Sequence, residues 1–249
     1  MRRLAVGVPA AAAAALVTVP LVGLLARAPW RALPDIVTRP AVLEALWLSL
    51  GCSLAALVVC LALGVPLAWV LARSRLPGLA VVRAVVLLPM VLPPVVGGVA
   101  LLFAFGRGGV VPLPFTLPFT TAGAVTAEAF VALPFLVLAV EAGLRQLDRR
   151  YEDAAAALGA GPWARFRHVT LPLLGPSLAA GAAVCWARAL GEFGATITFA
   201  GSLPGRTRTL PLAVYTTLQT DRDGAIALSL VLLALSVVVM AGLRGRWTR

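Results

Sequence analysis

The sequence predicts an all-α, polytopic membrane protein with about six transmembrane helices. Three observations carry that expectation. Hydrophobic residues make up 61% of the 249-residue chain and charged residues only 12%, with a mean hydropathy of +0.97. Soluble domains lie near 45–50% apolar and about 25% charged, so a water-soluble enzyme is excluded first. Long runs carry no charge at all, and the charges fall mostly between those runs.

A bilayer core of about 30 Å requires roughly 20 apolar residues in a helix. Residues 4–26, 45–72, 84–106 and 224–243 meet this without a single charge. Two further spans carry isolated charges: about 120–144, with Glu128 and Glu141, and about 170–200, with Arg188 and Glu192. The stretch from Gly106 to Phe119 is apolar, but Pro112, Pro114 and Pro118 deny it a regular hydrogen-bond ladder, so it reads as a loop. The first span has two readings. Met1-Arg2-Arg3, the Ala-rich run and Ala26-Arg27-Ala28 resemble a cleavable signal sequence, whereas the length of the apolar run favours a retained helix.

The chain carries 21 basic residues, 10 acidic ones and a net charge of +11. With the N-terminus in the cytoplasm, the predicted topology puts 13 Arg inside and 7 outside, leaving Arg188 in the membrane. The positive-inside rule thus supports two cytoplasmic termini in a multi-pass plasma or inner membrane protein. It also accounts for the charge without a nucleic-acid partner. Every basic residue is Arg. The lack of Lys removes Schiff-base chemistry and the G-x-x-x-x-G-K-[ST] phosphate loop, so any ATP must be bound by another chain. Cys52, Cys60 and Cys185 lie in apolar stretches and read as buried structural thiols. With one His, His168, no zinc site has enough ligands. No catalytic residue, cofactor or metal is predicted. The whole chain, 1–249, reads as a single transmembrane domain.

The largest non-membrane segment is the loop over residues 145–172. Glu152 and Asp153 sit where a helix N-terminus favours acids. Ala154 to Ala157 are strong helix formers with small side chains. Gly159 is a helix stop, and Pro162 can begin another turn. The expected product is a short helix with a smooth face, suited either to a groove on another protein or to a connector lying on the membrane surface.

The spacing within this loop resembles the signature of ABC importer permeases, E-A-A-x-x-x-G-x(9)-I-x-L-P. Asp153-Ala154-Ala155 occupies the E-A-A place, Gly159 is in register, Val169 stands for Ile, and Leu171-Pro172 closes the motif. Leu92-Pro93-Pro94-Val95-Val96-Gly97-Gly98, the stretch from Ala187 to Ile197, Arg206-Thr207-Arg208-Thr209-Leu210-Pro211 and Tyr215 to Thr220 are similar to molybdate permeases of that family. The Leu190-Gly-Glu-Phe-Gly194 stretch is shared in spirit with sulfate permeases. The resemblance implies a type I ABC importer permease fold and molybdate import by alternating access, with tungstate or sulfate as alternatives. It implies cytoplasmic ATPase subunits, an extracytoplasmic molybdate-binding protein and a second permease copy, most simply in a homodimer within membrane lipid. It places Glu152, Asp153, Ala154, Ala155 and Gly159 at the ATPase, with either acid as the contact.

Candidates for the gate or translocation path are Pro93, Pro94, Gly97, Arg188, Glu192, Thr196 and Thr198. Pro89, Pro93 and Pro94 interrupt backbone hydrogen bonding, and Gly97 and Gly98 permit close helix approach. That combination reads either as a packing kink or as a shaped pore. Arg188 and Glu192, four apart, share a helix face. They read either as a pair locking helices or as a gate, since intramembrane charges are functional candidates by default. Thr196, Thr198, Thr207 and Thr209 offer hydroxyls to an oxyanion, while Arg206 and Arg208 could attract a dianion or dock a delivery protein; taken singly, such Thr and Arg residues read first as a solvated loop, and no strong permanent site is expected. Glu128, Glu141 and Arg145 are expected in packing or interfacial pairs, and His168 in a loop. A secondary transporter would need paired broken helices, which the sequence does not make evident. An intramembrane enzyme would need paired acids or a metal cluster.

Overall fold

The computed structural model describes residues 2–247, and these contain helices and connecting segments but no strand. In chain order the helices are α1 (Arg2–Ala26), α2 (Leu33–Val37), α3 (Pro40–Arg73), α4 (Leu79–Val91), α5 (Pro94–Phe105), α6 (Thr121–Gln146), α7 (Arg150–Ala157), α8 (Pro162–Arg165), α9 (Leu171–Leu190), α10 (Gly194–Phe199), α11 (Leu210–Leu218) and α12 (Arg222–Trp247). A π-helical turn, Phe166–Thr170, joins α8 to α9.

Five helices are long and apolar enough to cross a bilayer: α1, α3, α6, the continuous α8–α9 rod and α12. The sixth expected span, 84–106, is not one helix. It divides into α4 and α5, of 13 and 12 residues, each too short to cross alone. The cause is the Pro93-Pro94 pair. A residue that precedes proline is pushed out of the helical region. Both Leu92 (ψ 136°) and Pro93 (ψ 131°) precede a proline, and both are extended. The expected span 170–200 is also interrupted. It stops at Leu190, and α10 begins afresh at Gly194. Two broken helices are therefore present where the sequence made no such pair evident. Gly106–Thr120 is irregular, as its prolines require.

The centre of the bundle is α6, clasped between α3 and α9. Ala56, Cys60, Ala68 and Leu71 of α3 meet Ala132, Leu136, Val140 and Leu144 of α6, with Leu174, Cys185 and Ala189 of α9 closing the cluster. Hydrophobic attraction does not distinguish helix from lipid, so close van der Waals approach has to hold such helices together. Small residues make it possible. A methyl group on Gly143 would lie 2.6 Å from Ser177 Cβ, and one on Gly181 would lie 2.7 Å from Ala139 Cβ. All three cysteines are buried and free, as expected. By contrast, α1 buries none of its apolar span and packs chiefly beside α12.

Length also matters. The 34 residues of α3 extend about 51 Å at 1.5 Å each, well beyond a bilayer core. Its C-terminal turn therefore projects past the apolar zone, carrying Trp69 and Arg73 to the α7–α8 loop.

Candidate functional site

The two helix breaks face each other. Gly194, at the start of α10, lies against Pro94, at the start of α5: a methyl group on Gly194 would fall 2.8 Å from Pro94 Cβ. One turn on, a methyl on Gly98 would meet Thr198 Cβ at 2.7 Å and the Ala195 carbonyl at 2.8 Å. Gly97 is buried against Phe130 of α6. The structure thus brings together Pro93, Pro94, Gly97, Glu192, Thr196 and Thr198, which lie about a hundred residues apart in sequence. Thr198 donates to the Gly194 carbonyl at 2.8 Å, so its hydroxyl is engaged within α10. Thr196 is fully buried, and its hydroxyl has no partner among the described residues.

Arg188 and Glu192 pair at 2.5 Å. The pair does not tie two long helices together. It spans the break itself, because the other Glu192 oxygen accepts the backbone N–H of Ala195 at 2.8 Å. One carboxylate thus holds the last turn of α9 and satisfies an orphan donor of α10, as a helix start requires. With Glu192 only 1% exposed, the charge is neutralised where water is excluded. The close α5–α10 contact yields a direct expectation. Gly98→Val should force the two breaks apart at a cost of about 1–3 kcal/mol, the usual range for overpacking. Thermal unfolding in detergent reads it; an unchanged midpoint would show that the contact can open freely.

The other intramembrane acids divide. Glu141 pairs with Arg145, as expected, but also with Arg83 at 2.6 Å, a partner 58 residues away. Both guanidinium groups donate as well to the Leu71 carbonyl near the end of α3, each at 3.3 Å. This knot fastens α3, α4 and α6 at one end of the bundle. Glu128 does not form the expected pair. It is 1% exposed, and its Oε2 has no partner among the described residues.

The α7–α8 loop is built as its residues suggest. Glu152 and Asp153 occupy the first turn of α7. Gly159 (φ +88°) ends it in the left-handed region, with Ala160 N–H donating to the Ala155 carbonyl at 2.9 Å. This is the Schellman arrangement, for which Gly carries no Cβ penalty. Pro162 begins α8. The two acids have different surroundings. Glu152 turns inward, accepting from Arg73 at 3.3 Å and from the Thr170 hydroxyl at 2.8 Å. Asp153 is exposed, as are Ala154, Ala156 and Ala157, and Leu158 is 89% exposed. Aromatic rings reinforce the inward side. Phe166 stacks on Trp163 and meets Trp69 of α3 edge-on, and Arg73 lies over Trp69. His168 is exposed on the π-helical turn, with Nδ1 3.0 Å from the Ala164 carbonyl.

At the opposite end, the loop before α11 uses most of its polar groups internally. Thr207 accepts from Leu203 N–H at 2.9 Å, and Arg208 donates to the side-chain and backbone oxygens of Ser202. Thr209 is buried, and its hydroxyl has no partner among the described residues. Thr207 and Arg208 are thus engaged within the loop itself, in keeping with the loop reading of these residues.

Comparison with known proteins agrees with this architecture. Residues 64–244 match the family described as binding-protein-dependent transport system inner membrane component. The chain is 46% identical over 243 residues to the molybdenum transport system permease protein ModB of Mycobacterium tuberculosis, covering 96% of this chain and 92% of that one. It is 42% identical over 203 residues to the Escherichia coli protein of the same description, covering 78% and 89%. It is 35% identical over 226 residues to the sulfate transport system permease protein CysT of Escherichia coli, covering 88% and 82%. Among solved structures, a bacterial ABC transporter that imports the polysaccharide alginate superimposes with a TM-score of 0.76 at 16% identity, covering 99% of this chain and 96% of that one. The MetNI methionine ABC transporter gives 0.66 at 21% identity, covering 83% and 96%. These two establish likeness of fold. With the family matched over most of its length and the helical arrangement of type I ABC importer permeases, the chain belongs to the binding-protein-dependent transport system inner membrane components and is a multi-pass membrane protein.

Proposed function

We propose that this chain, as a single transmembrane domain, is the permease subunit of an ATP-driven importer that moves molybdate into the cytoplasm. The observation that carries the substrate is the similarity to molybdenum permeases, 46% over nearly the whole chain against 35% for the sulfate permease. The observation that supports the coupling is α7: a short, exposed, Ala-faced helix backed by an internal brace to α3 and α9. Its partners are two cytoplasmic ATPase subunits, an extracytoplasmic molybdate-binding protein and a second copy of the permease. Both termini and the α7–α8 loop lie in the cytoplasm.

In this mechanism Asp153, Ala154, Ala155 and the Gly159 turn contact the ATPase. Glu152 does not; it transmits. When the ATPase subunits close, α7 moves, and the Glu152 bridge to Arg73 and Thr170 carries the motion into α3 and α9. The outer end of α9 is joined through Arg188 and Glu192 to α10, which lies on Pro94 and Gly98. The facing breaks, with Pro93, Gly97, Thr196 and Thr198, form the gate. The device is a two-state element biased by a partner's binding energy, and the permease itself hydrolyses nothing. The 35% likeness to a sulfate permease favours a second reading, sulfate import. Competition decides between them. In a reconstituted transporter supplied with its binding protein, uptake of labelled molybdate should survive an excess of sulfate. Equal displacement by sulfate would assign the wider substrate class.

A further inference from the structure

A cavity of about 970 Å³ opens at the end of the bundle opposite the α7–α8 loop. Its walls are the last turn of α5 (Leu102, Phe105), the irregular Gly106–Thr120 segment and the loop that carries Arg206. Two charged side chains line it, Arg107 and Arg206, and both are basic. Among the described residues no carboxylate lies within ion-pair distance of either arginine. Glu44, which lies against the neighbouring Gly205, pairs with neither.

The backbone that presents these arginines is fixed. On one side, Val110 and Val111 N–H groups donate back to the Phe103 and Ala104 carbonyls of α5, at 3.1 and 2.9 Å, and Gly108 takes φ +74°. Arg107 stands at the tip of the resulting turn. On the other side, the Thr121 hydroxyl donates to the Arg206 carbonyl at 2.8 Å, which ties the second loop to the start of α6. Phe119 (φ +58°) sits between the two, in a left-handed conformation that is strained for a non-glycine residue. Its N–H donates to the Phe199 carbonyl at the end of α10. The strained residue thus links the cavity wall to the helix that faces Pro94 and Gly98. Arg208, two residues from Arg206, is held by Ser202, whereas Arg107 and Arg206 are exposed.

We propose that this cavity is a weak receiving site for a tetrahedral oxyanion dianion, held between Arg107 and Arg206 on its way from the delivery protein to the path along α5 and α10. The inference rests on the importer reading and gives that transporter's outer face its substrate chemistry. Like charges in a cleft with apolar walls focus the field and raise the local anion concentration. Guanidinium groups supply forked, charge-assisted hydrogen bonds to such oxygens. The volume leaves the ion much of its hydration, which keeps the site weak enough to release it inward. The alternative occupant, an acidic surface of the binding protein, is separable by experiment.

The test uses the complete transporter in lipid nanodiscs, without binding protein, and labelled molybdate as probe. Wild type should bind it in a salt-sensitive manner. Losing both charges in Arg107→Gln/Arg206→Gln should weaken binding by about tenfold or more, because charged hydrogen bonds are removed. Arg107→Lys/Arg206→Lys should retain most of it, a result that mere misfolding could not produce. Molybdate binding unchanged in the Gln variant would overturn the proposal. A parallel measurement with the binding protein added reads its docking, and a Gln variant that lost docking alone would likewise overturn the proposal. If wild type transports sulfate in place of molybdate, the substrate reading fails separately. Labelled sulfate then becomes the probe, with the same two outcomes deciding the cavity.

Discussion

Arg83→Ala/Arg145→Ala should destabilise the protein by about 3–5 kcal/mol, whereas Glu141→Gln should cost only about 1–2 kcal/mol. The asymmetry follows from burial. The Glu141 side chain is 6% exposed, while those of Arg83 and Arg145 are 33% and 52% exposed. Remove both arginines, and a carboxylate is stranded in the bundle with no counter-charge. Neutralise the carboxylate instead, and two half-exposed guanidinium groups turn to water or lipid headgroups while still reaching the Leu71 carbonyl. An exposed ion pair would be worth about 0–1 kcal/mol, and the knot exceeds that because one member is dry. Thermal unfolding of purified variants in one detergent measures both. Equal losses from the two substitutions would show that Glu141 contributes shape and not charge.

The second large effect is expected at Glu152. Glu152→Ala should leave ATPase subunits bound yet lower uptake by about tenfold or more, a coupling loss of at least about 1.4 kcal/mol. Its side chain is 20% exposed and that of Arg73 only 11%, so truncation leaves a nearly buried cation and an unpaired Thr170 hydroxyl. Strain of that size would be relieved locally, by detachment of α7 from α3, rather than by unfolding of the α3–α6–α9 core. Asp153→Ala should do the reverse. Being exposed and outside the brace, it should weaken ATPase association while leaving the permease's own thermal midpoint in place. Co-purification and uptake, measured on the same preparations, separate the two. If Glu152→Ala abolished association and Asp153→Ala did not, the roles assigned to the acids would have to be exchanged.

What the sequence revealed depended on the distance over which each feature acts. The four spans 4–26, 45–72, 120–144 and 224–243, the Gly159 stop and the Pro162 start are local, and they stand where the residues put them. The Arg188–Glu192 pair was legible because four residues make one helical face. The breaks were only half legible. Pro93 and Pro94 announced lost hydrogen bonds, but a kink and a full interruption remove similar donors. Tertiary support for α10, from Glu192 and from Pro94 across the contact, decides between them. Glu141–Arg83 and Glu152–Arg73 join residues 58 and 79 apart, and no periodicity encodes such a meeting. Overlong α3 was the available signal for the second, since a helix of 34 residues must emerge from the bilayer. Glu128 misled for the opposite reason. An intramembrane acid implies a partner on energetic grounds, yet its second oxygen has none among the described residues.

Two facing broken helices are also what a transporter working without ATP would display, so energy coupling is the claim most in need of a direct measurement. The permease is to be reconstituted in proteoliposomes with its ATPase subunits and binding protein, with ATP enclosed on the side of the α7–α8 loop. Accumulation of labelled molybdate against its gradient is predicted, with none when ATP is replaced by ADP or when the ATPase subunits are omitted. Undiminished accumulation by the permease without the ATPase subunits would contradict the account.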